Sequence, residues 1–600
     1  MKNKKWSLFA ILLTFVLILT ACSGDDSGSK KSSTEPKDTE KKVDAALFPL
    51  AVDNKDEAVE GGTLNVALVN NAPFQGIFSY AFYEDAYDAE ILSYATTSLF
   101  DVDGNFMITD TGIAKMDVDE DNNKVTIKIR EGVKWSDGEP LKIEDLIYAY
   151  EIIAHKDYTG IRYDTDFRNI VGIEEYNAGT ADTISGLKKV DETTLEISFK
   201  KLSPAIYSGG DGLWTYAEPS HVMKDIPVKD LETSDPVRKT PLSLGAYVID
   251  NIVKGESVKL VANEHYFRGE PKIKEAIIKV VPGEQIAAAI KSGEYDYVSN
   301  FPTQQYEAIK DLDNITILGR PELYYQYIGF KLGKFDTTEK IVKTDTNAKM
   351  SDKALRQAMG YAIDVENVAS EYYYGLRERA NSLIPPVFTS FYDESLEGYK
   401  YDPEKAKKLL DDAGYKDVNN DKIREDKDGK PLQINFAAIS GTEADEAIVS
   451  YYLQNWKDVG LNVTLTSGRT IEINSFYDRV EADDPEIDVY MGAWGTGTNP
   501  SPVGLYGKES PFNYSRYSSD KLTELLTDID SPKAMDAKFR TDKFKEWQEY
   551  MAENSPVIPV TFRYELVPVS KRLKGVTIDY AVPSNFHEWE LTAEKVPAAK

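Results

Sequence analysis

Apolar positions along the 600-residue chain fall into three regimes. Trp6 to Leu19 is an oily run broken only by Ser7 and Thr14, residues 23–44 are almost wholly polar, and from Gly61 short apolar runs alternate with helical stripes. "GGTLNVALV" reads as a glycine turn followed by a buried strand, and "NKVTIKI", "TTLEISF", "KEAIIKVV" and "LNVTLT" also have strand character. Three helices can be placed. One takes Ser351 as N-cap and carries Ala354, Leu355, Ala358 and Ala362 at helical spacing. A second has Asp402 as N-cap, Pro403 at its first position, a stripe of Ala406, Leu409, Leu410 and Ala413, and Gly414 past its end. The third follows Gly138-Glu139-Pro140 and turns Ile143, Ile147 and Tyr150 inward. Strand runs and amphipathic helices in alternation predict an α/β protein, and the length predicts more than one domain.

The N-terminal oily run is short for a membrane span, which needs about 20 apolar residues. With Lys2, Lys4 and Lys5 ahead of it, it has the proportions of a secretory signal. The run ends in Leu19, Thr20, Ala21 and Cys22, which resembles the bacterial lipobox. The resemblance implies a signal peptide over 1–21, cleavage before Cys22 and diacylglyceryl attachment to its thiol. The chain is then expected to sit lipid-anchored at the extracytoplasmic face of the cell membrane. Cys22 is the only cysteine, so cores rather than disulfides must hold the exported protein. Residues 22–58 read as a polar, flexible tether.

Charge narrows the partners. The formal charge is −30, and it becomes −33 once the three signal lysines are removed. So acidic a surface repels phosphate backbones, which argues against nucleic acid as a partner. Four histidines, His155, His221, His265 and His587, lie far apart and form no metal-binding spacing. No phosphate-binding glycine loop and no Gly-x-Ser-x-Gly elbow is present. Asp417, Asn419, Asp421 and Asp428 fall at positions 1, 3, 5 and 12 of a calcium-loop pattern. Lys422, however, stands where the turn needs glycine, and the favoured reading is a polar hairpin turn. No cofactor, metal or catalytic group is expected, and the chain is not read as an enzyme.

Six strings in order resemble the extracytoplasmic solute-binding proteins of peptide ABC transporters, the oligopeptide/dipeptide/nickel-binding family. They are "IREGVKWSDGEPLKIEDLIYAYE", "LGAYVIDNIVKGESVKLVANEHYFRGEPKI", "SGEYDYV", "YIGFKL", "LRQAMGYAIDVENV" and "YDPEKAKKLLDDAGY". The resemblance extends over nearly everything from Gly61 to Glu590, and the chain looks most like the long Gram-positive lipoproteins of that family. The resemblance implies a two-lobe, type II periplasmic-binding-protein-like α/β fold with an extra α/β subdomain inserted in the first lobe. Lobe I is expected over 59–79, 201–320 and 568–600, the insertion over 80–200, and lobe II over 321–567.

The implied function is capture of an extended oligopeptide between the lobes, mainly through its main chain, and delivery to the permease subunits of an ABC importer by a monomeric receptor. Pairing main-chain groups gives affinity without reading side chains. By alignment with the family, Trp494, Gly495, Thr496, Gly497 and Thr498 should line the cleft. Asn70, Asn71, Ala72, Pro73 and Phe74 should add strand-like contacts, and Trp214 and Tyr216 could floor a pocket. Gly497 stands where short-peptide members carry an aspartate that pairs with the ligand's ammonium. Either another acid does that job or the peptide's amino terminus is not buried; the second is the expectation, with N-acetylation changing affinity less than about tenfold, ~1.4 kcal/mol. A signalling peptide, a nickel chelate or an oligosaccharide remains an alternative ligand, and an anchored extracellular hydrolase an alternative class.

Overall fold

The computed structural model describes residues 47–441 and 443–600. The signal segment, Cys22 and the tether as far as residue 46 lie outside the described residues. Residues 47–58 correct one expectation, because they are docked rather than loose. Val52 N donates to Val576 O at 2.9 Å, Val59 N to Leu591 O at 2.7 Å, and Gly319 N to Pro49 O at 3.2 Å. Phe48 packs edge-on to Tyr306 at 5.8 Å. The segment opens on the apolar run Leu47 to Val52 and is polar only from Asp53 to Glu57, and its backbone finds partners along lobe I.

One sheet of eleven strands runs through both lobes. Its strands are β1 (Thr63–Val69), β2 (Tyr247–Val253), β3 (Ser257–Ala262), β4 (Glu275–Val281), β5 (Tyr297–Ser299), β6 (Ile315–Phe330), β7 (Arg377–Arg379), β8 (Gln433–Ala438), β9 (Asn462–Leu465), β10 (Val489–Gly495) and β11 (Val557–Ser570). Their order is β9-β8-β10-β6-β11-β5-β1-β4-β3-β2, with β7 on β11. β6 and β11 are antiparallel and belong to both lobes. They pair from Ile315↔Ser570 to Pro321↔Tyr564 in lobe I and from Tyr325↔Phe562 to Gly329↔Val557 in lobe II, with a register shift between. Glu322, Leu323 and Tyr324 sit in that gap, which is the joint between the lobes.

The inserted subdomain is a separate four-stranded antiparallel sheet, Ala114–Asp119, Lys124–Ile129, Thr194–Ser198 and Leu187–Lys189 in spatial order, under the helix Ile143–Ala154. Ile143 and Tyr150 of that helix are buried; Ile147 is half-buried, and Leu146 and Ala149 take its inward place. The other two expected helices form as Lys353–Ala362 and Pro403–Ala413. Asp402 caps the latter through Lys405 N at 2.8 Å. The former is capped by Asp352, not Ser351, because it is the Asp352 carboxylate that reaches Ala354 N, at 3.0 Å.

The strings that carry the resemblance turn out to be scaffold. Trp135 is buried and its indole N–H donates to Asp145 at 3.1 Å, while Asp145 also accepts from Lys142 N and from Ser220 N and Oγ. Asp296 of "SGEYDYV" is fully buried and takes Arg572 in a two-point pair at 2.5 and 2.7 Å. Arg572 spends its remaining N–H groups on Thr63, Ala593 and Glu594 carbonyls, so one pair ties β1, β5 and the C-terminal segment together. Arg356 of "LRQAMGYAID" is likewise buried, donating to the carbonyls of Met350, Ser351, Asn554 and Ser555.

Ser79 Oγ, just before the insertion, donates to the buried Glu218 Oε1 at 2.7 Å. Burial raises the Glu218 carboxyl from 4.5 to about 7. Burial likewise raises Asp88 and Asp211 to about 6 each.

Two outcomes follow from this scaffold. Replacing Asp296 by Asn strands a buried guanidinium and should lower stability by about 3–5 kcal/mol. Lys408→Ala, which removes the exposed Lys408–Asp412 pair, should change it by less than about 0.5 kcal/mol; urea unfolding compares the two. Glu218 gives a pH signature. Its folded pKa lies above its unfolded value, so its contribution is complete below about pH 4.5 and is lost as pH rises to about 7. Thermal midpoints should therefore fall between pH 5 and 7.5, as pH titration by scanning calorimetry would read, and Glu218→Gln should flatten the slope.

Candidate functional site in the interlobe cleft

Two cavities occupy the cleft, and each is walled by both lobes. The first, about 190 Å³, is bounded by Asn70 to Ala72 at the end of β1 and by Asn300 to Gln304 after β5. Lobe II contributes Ile439, Ser440, Asp445 and Glu472, and the joint contributes Arg377 and Arg563. The second, about 210 Å³, has Asp164 and Asp166 of the inserted subdomain facing Tyr325, Ile384, Phe388, Gly495, Thr496 and Pro500. The lobes touch around them. Gln304 Nε2 donates to Asp445 Oδ1 at 2.9 Å, Thr498 Oγ1 to Ser208 O at 3.4 Å, and Arg168 pairs with Glu509 at 2.5 Å. The cleft is closed in this conformation.

Local chemistry shapes the first cavity. Asn70 N continues the β1–β4 pairing by donating to Val281 O at 3.0 Å, and its side-chain oxygen accepts from Ala72 N at 3.3 Å. Asn71 Oδ1 accepts from Gly283 N at 3.0 Å, so both asparagines serve partly as turn formers. Asn70, Asn71 and Ala72 line the cavity. Pro73 lies outside it, packed towards Gly255. Phe74 is buried in the lobe I core beside Phe78, and burying a large ring there outweighs presenting it to the cleft.

Trp214 and Tyr216 line neither cavity. Tyr216 stacks on Tyr80 with centroids 3.6 Å apart, and Trp214 meets Phe167 edge-on at 6.3 Å, so these aromatics pack the entry to the inserted subdomain. Trp494 lies behind the second cavity, stacked on Tyr514 at 5.3 Å and on Tyr327 at 6.5 Å. Gly495 and Thr496 do line that cavity. Gly497 has φ +60° with no atom within 4 Å of where a Cβ would be, and Thr498 reaches across to lobe I.

β10 outruns its neighbour β8, whose pairing ends at Ala438↔Met491, whereas pairing with β6 continues to Tyr324↔Gly495. Gly492 to Gly495 therefore have a strand on one side only. On the other side the Tyr477 hydroxyl meets Ala493, 3.3 Å from its O and 3.4 Å from its N.

Sequence reasoning missed the charged groups of the site. Arg563 makes a two-point pair with Glu322 and lies over the Tyr324 ring at 4.0 Å. Arg377 lies directly opposite it across β7 and β11. Asp164 and Asp166 come from a loop with no distinguishing pattern. Burial pushes the Asp166 carboxyl well up, Asp164, Asp530 and Asp211 add to that, and Lys201 opposes. In so acidic a chain only their meeting with lobe II singles these two out. The Asp417–Asp428 loop spends its acids on itself: Asp417 accepts from Asp421 N and Lys422 N, and Asn419 bonds Glu425.

Known proteins agree with this architecture. The family described as bacterial extracellular solute-binding proteins, family 5, matches residues 110–516. The chain belongs to that family. Among family relatives, the oligopeptide-binding protein OppA of Lactococcus lactis subsp. lactis (strain IL1403) is 32% identical over 606 residues, which cover 99% of this chain and 100% of the relative. The oligopeptide-binding protein AppA of Bacillus subtilis is 25% identical over 96% of each chain. The structure of lactococcal OppA, complexed with an endogenous peptide in the closed conformation, superposes with a TM-score of 0.85 at 33% identity, covering 88% of this chain and all of that one. Two lobes of type II α/β architecture with an inserted subdomain are thus the family 5 fold.

Proposed function

We propose that this chain is the oligopeptide-binding receptor of an ABC importer, and the observation that carries the reading is the closed cleft walled by both lobes, with an unpaired strand edge running along it. An extended peptide laid against Gly495 and beyond can add to the sheet through its main chain. Ala493 is withheld from that pairing by Tyr477. Relatives named for oligopeptide binding at full-length coverage support the ligand class. Cys22 is read as the lipid anchor, and the closed receptor as the form a permease meets. The protein releases its peptide unchanged and acts as a monomer.

The second cavity changes one expectation about the peptide's amino terminus. Asp164 and Asp166 bring carboxylates to the same space as Gly495 and Thr496, which favours another acid doing the work of the aspartate that Gly497 replaces. Burial first, and then the neighbouring acids, raise Asp166, and a ligand ammonium there would offset both by favouring its charged form.

Native mass spectrometry of freshly purified protein should show a ladder of bound peptide masses, and these peptides should survive prolonged incubation intact; cleaved products would point to a hydrolase instead. N-acetylation of a recovered peptide should weaken binding more than about tenfold, ~1.4 kcal/mol. Asp166→Asn should weaken the free-amine form and leave the acetylated form nearly unchanged in calorimetry. Equal binding of the two forms by the native protein would restore the protruding terminus.

A further inference from the structure

The inserted subdomain carries a short hairpin, Asp101–Val102 paired with Ile108–Thr109, whose tip runs from Asp103 to Met107. Its base is fixed to lobe I, because Asp101 Oδ2 accepts from Arg268 at 2.5 Å as well as from Thr111 Oγ1 at 2.6 Å. The tip is tightly built. Asp103 Oδ1 accepts from Asn105 N at 2.8 Å and from Met107 N at 3.0 Å, and Phe106 N donates to Asp103 O at 2.9 Å. That turn holds Phe106 at φ +61°, a left-handed conformation that a bulky aromatic residue rarely adopts.

The other lobe receives the ring. Phe106 is 2% exposed, and the apolar cluster it joins is otherwise built from lobe II. Its ring meets Phe388 of lobe II with centroids 5.3 Å apart and Tyr580 of the C-terminal segment at 5.4 Å. Phe388 in turn lines the second cavity, whereas Phe106 does not. Beside the tip, Ser208 turns its hydroxyl to Met107 Sδ at 3.7 Å and gives its carbonyl to Thr498 of lobe II. A backbone conformation that is costly by itself, carrying a ring that would lose Phe388 if the lobes parted, marks a segment shaped for the closed form.

We propose that this hairpin tip is a latch that holds the closed form, with Phe106 as its positioning residue, packed on Phe388 and so setting one wall of the second cavity. The inference rests on closure of the two lobes and needs nothing of the ligand's chemistry.

The test reads closure and release separately. The full chain carrying Cys22→Ser is spin-labelled at Asp182→Cys in the inserted subdomain and Thr527→Cys in lobe II, both exposed positions. Distances between the labels are measured by pulsed electron spin resonance, with and without peptides recovered from the native protein. Phe106→Ala should move the distribution away from the closed distance in both conditions. In stopped flow it should raise the peptide off-rate about tenfold or more while the on-rate stays within about twofold. Phe106→Leu, which keeps apolar bulk, should lie between and serves if the alanine variant does not fold. Asn105→Ala, an exposed change on the same tip, should match the native protein. A ring with only a structural role would lower the thermal midpoint and leave distances and off-rate unchanged, and that result overturns the latch. So does a Phe388→Leu effect that adds in full to that of Phe106→Ala, since residues acting through one contact are not additive. If the native chain retains no peptide, the receptor reading falls and the distances alone decide the latch. A closed population that Phe106→Ala diminishes then supports it, and a native chain found only open overturns it.

Discussion

Two antiparallel strands, Ile315–Phe330 and Val557–Ser570, are shared by both lobes, and the register shift between Pro321 and Tyr325 is where their pairing changes hands. Every other feature of the cleft is placed by that constraint. Because both strands cross, the lobes are held by two hydrogen-bonded ribbons rather than by loose linkers. The residues left out of the ladder are put to use. Glu322 neutralises Arg563, Tyr324 lies under the same guanidinium, and Leu323 O accepts from Thr496 N at 2.9 Å, which fixes the end of β10 beside the cleft. The joint, the open strand edge and the first cavity are therefore one construction.

Charge is distributed by the same logic. The deeply buried cations are spent on structure: Arg572 on Asp296, Arg356 on four carbonyls, and Lys331 and Arg516 on Asp483. Burial alone would raise the Asp483 carboxyl, yet those two cations hold it below its ordinary value. At the cleft the pattern differs. Asp164 and Asp166 stand in one cavity among further acids, and Arg377 stands in the other without an acid of its own. The balanced groups lie within one lobe or the other, and Asp164, Asp166 and Arg377 lie on the cavities between them.

The fold was legible in the sequence to a degree that the site was not, and the reason is physical. Trp135, Asp145, Asp296 and Arg356 sit in the strings that carry the resemblance: Asp145, Asp296 and Arg356 each make several buried bonds, and the buried Trp135 indole donates to Asp145. Helix ends were legible where a cap has one geometry, as at Asp402, and slipped by one residue where Ser351 and Asp352 were both competent caps. Asn70, Asn71, Ala72, Gly495 and Thr496, placed in the cleft by alignment with the family, line the two cavities. Phe74, Trp214, Tyr216 and Trp494 were aromatic candidates that the interior claimed, since buried ring area stabilises wherever it is placed. Asp164, Asp166 and Arg377 could not have been picked from among 170 charged residues, because what distinguishes them is a neighbour supplied by a distant part of the chain.

Closure brings acids together as well as walls. Glu84 has its carboxyl raised first by burial and next by Glu481 of lobe II, with Glu232 and Asp478 adding to it and Arg162 opposing. Asp85 is raised by burial, with a contribution from Glu472 across the cleft. Such repulsion acts against the closed form whether or not a ligand is present, and it falls off as the lobes part. A peptide can shift the balance only by interacting better with the closed form than with the open one. The groups able to do so are those that closure leaves unsatisfied: the open edge past Ala493 and the acids of the second cavity. An acidic cleft that resists closing on water is thereby an asset to a receptor, because a lobe pair that shut unaided would present an empty closed form to its partner.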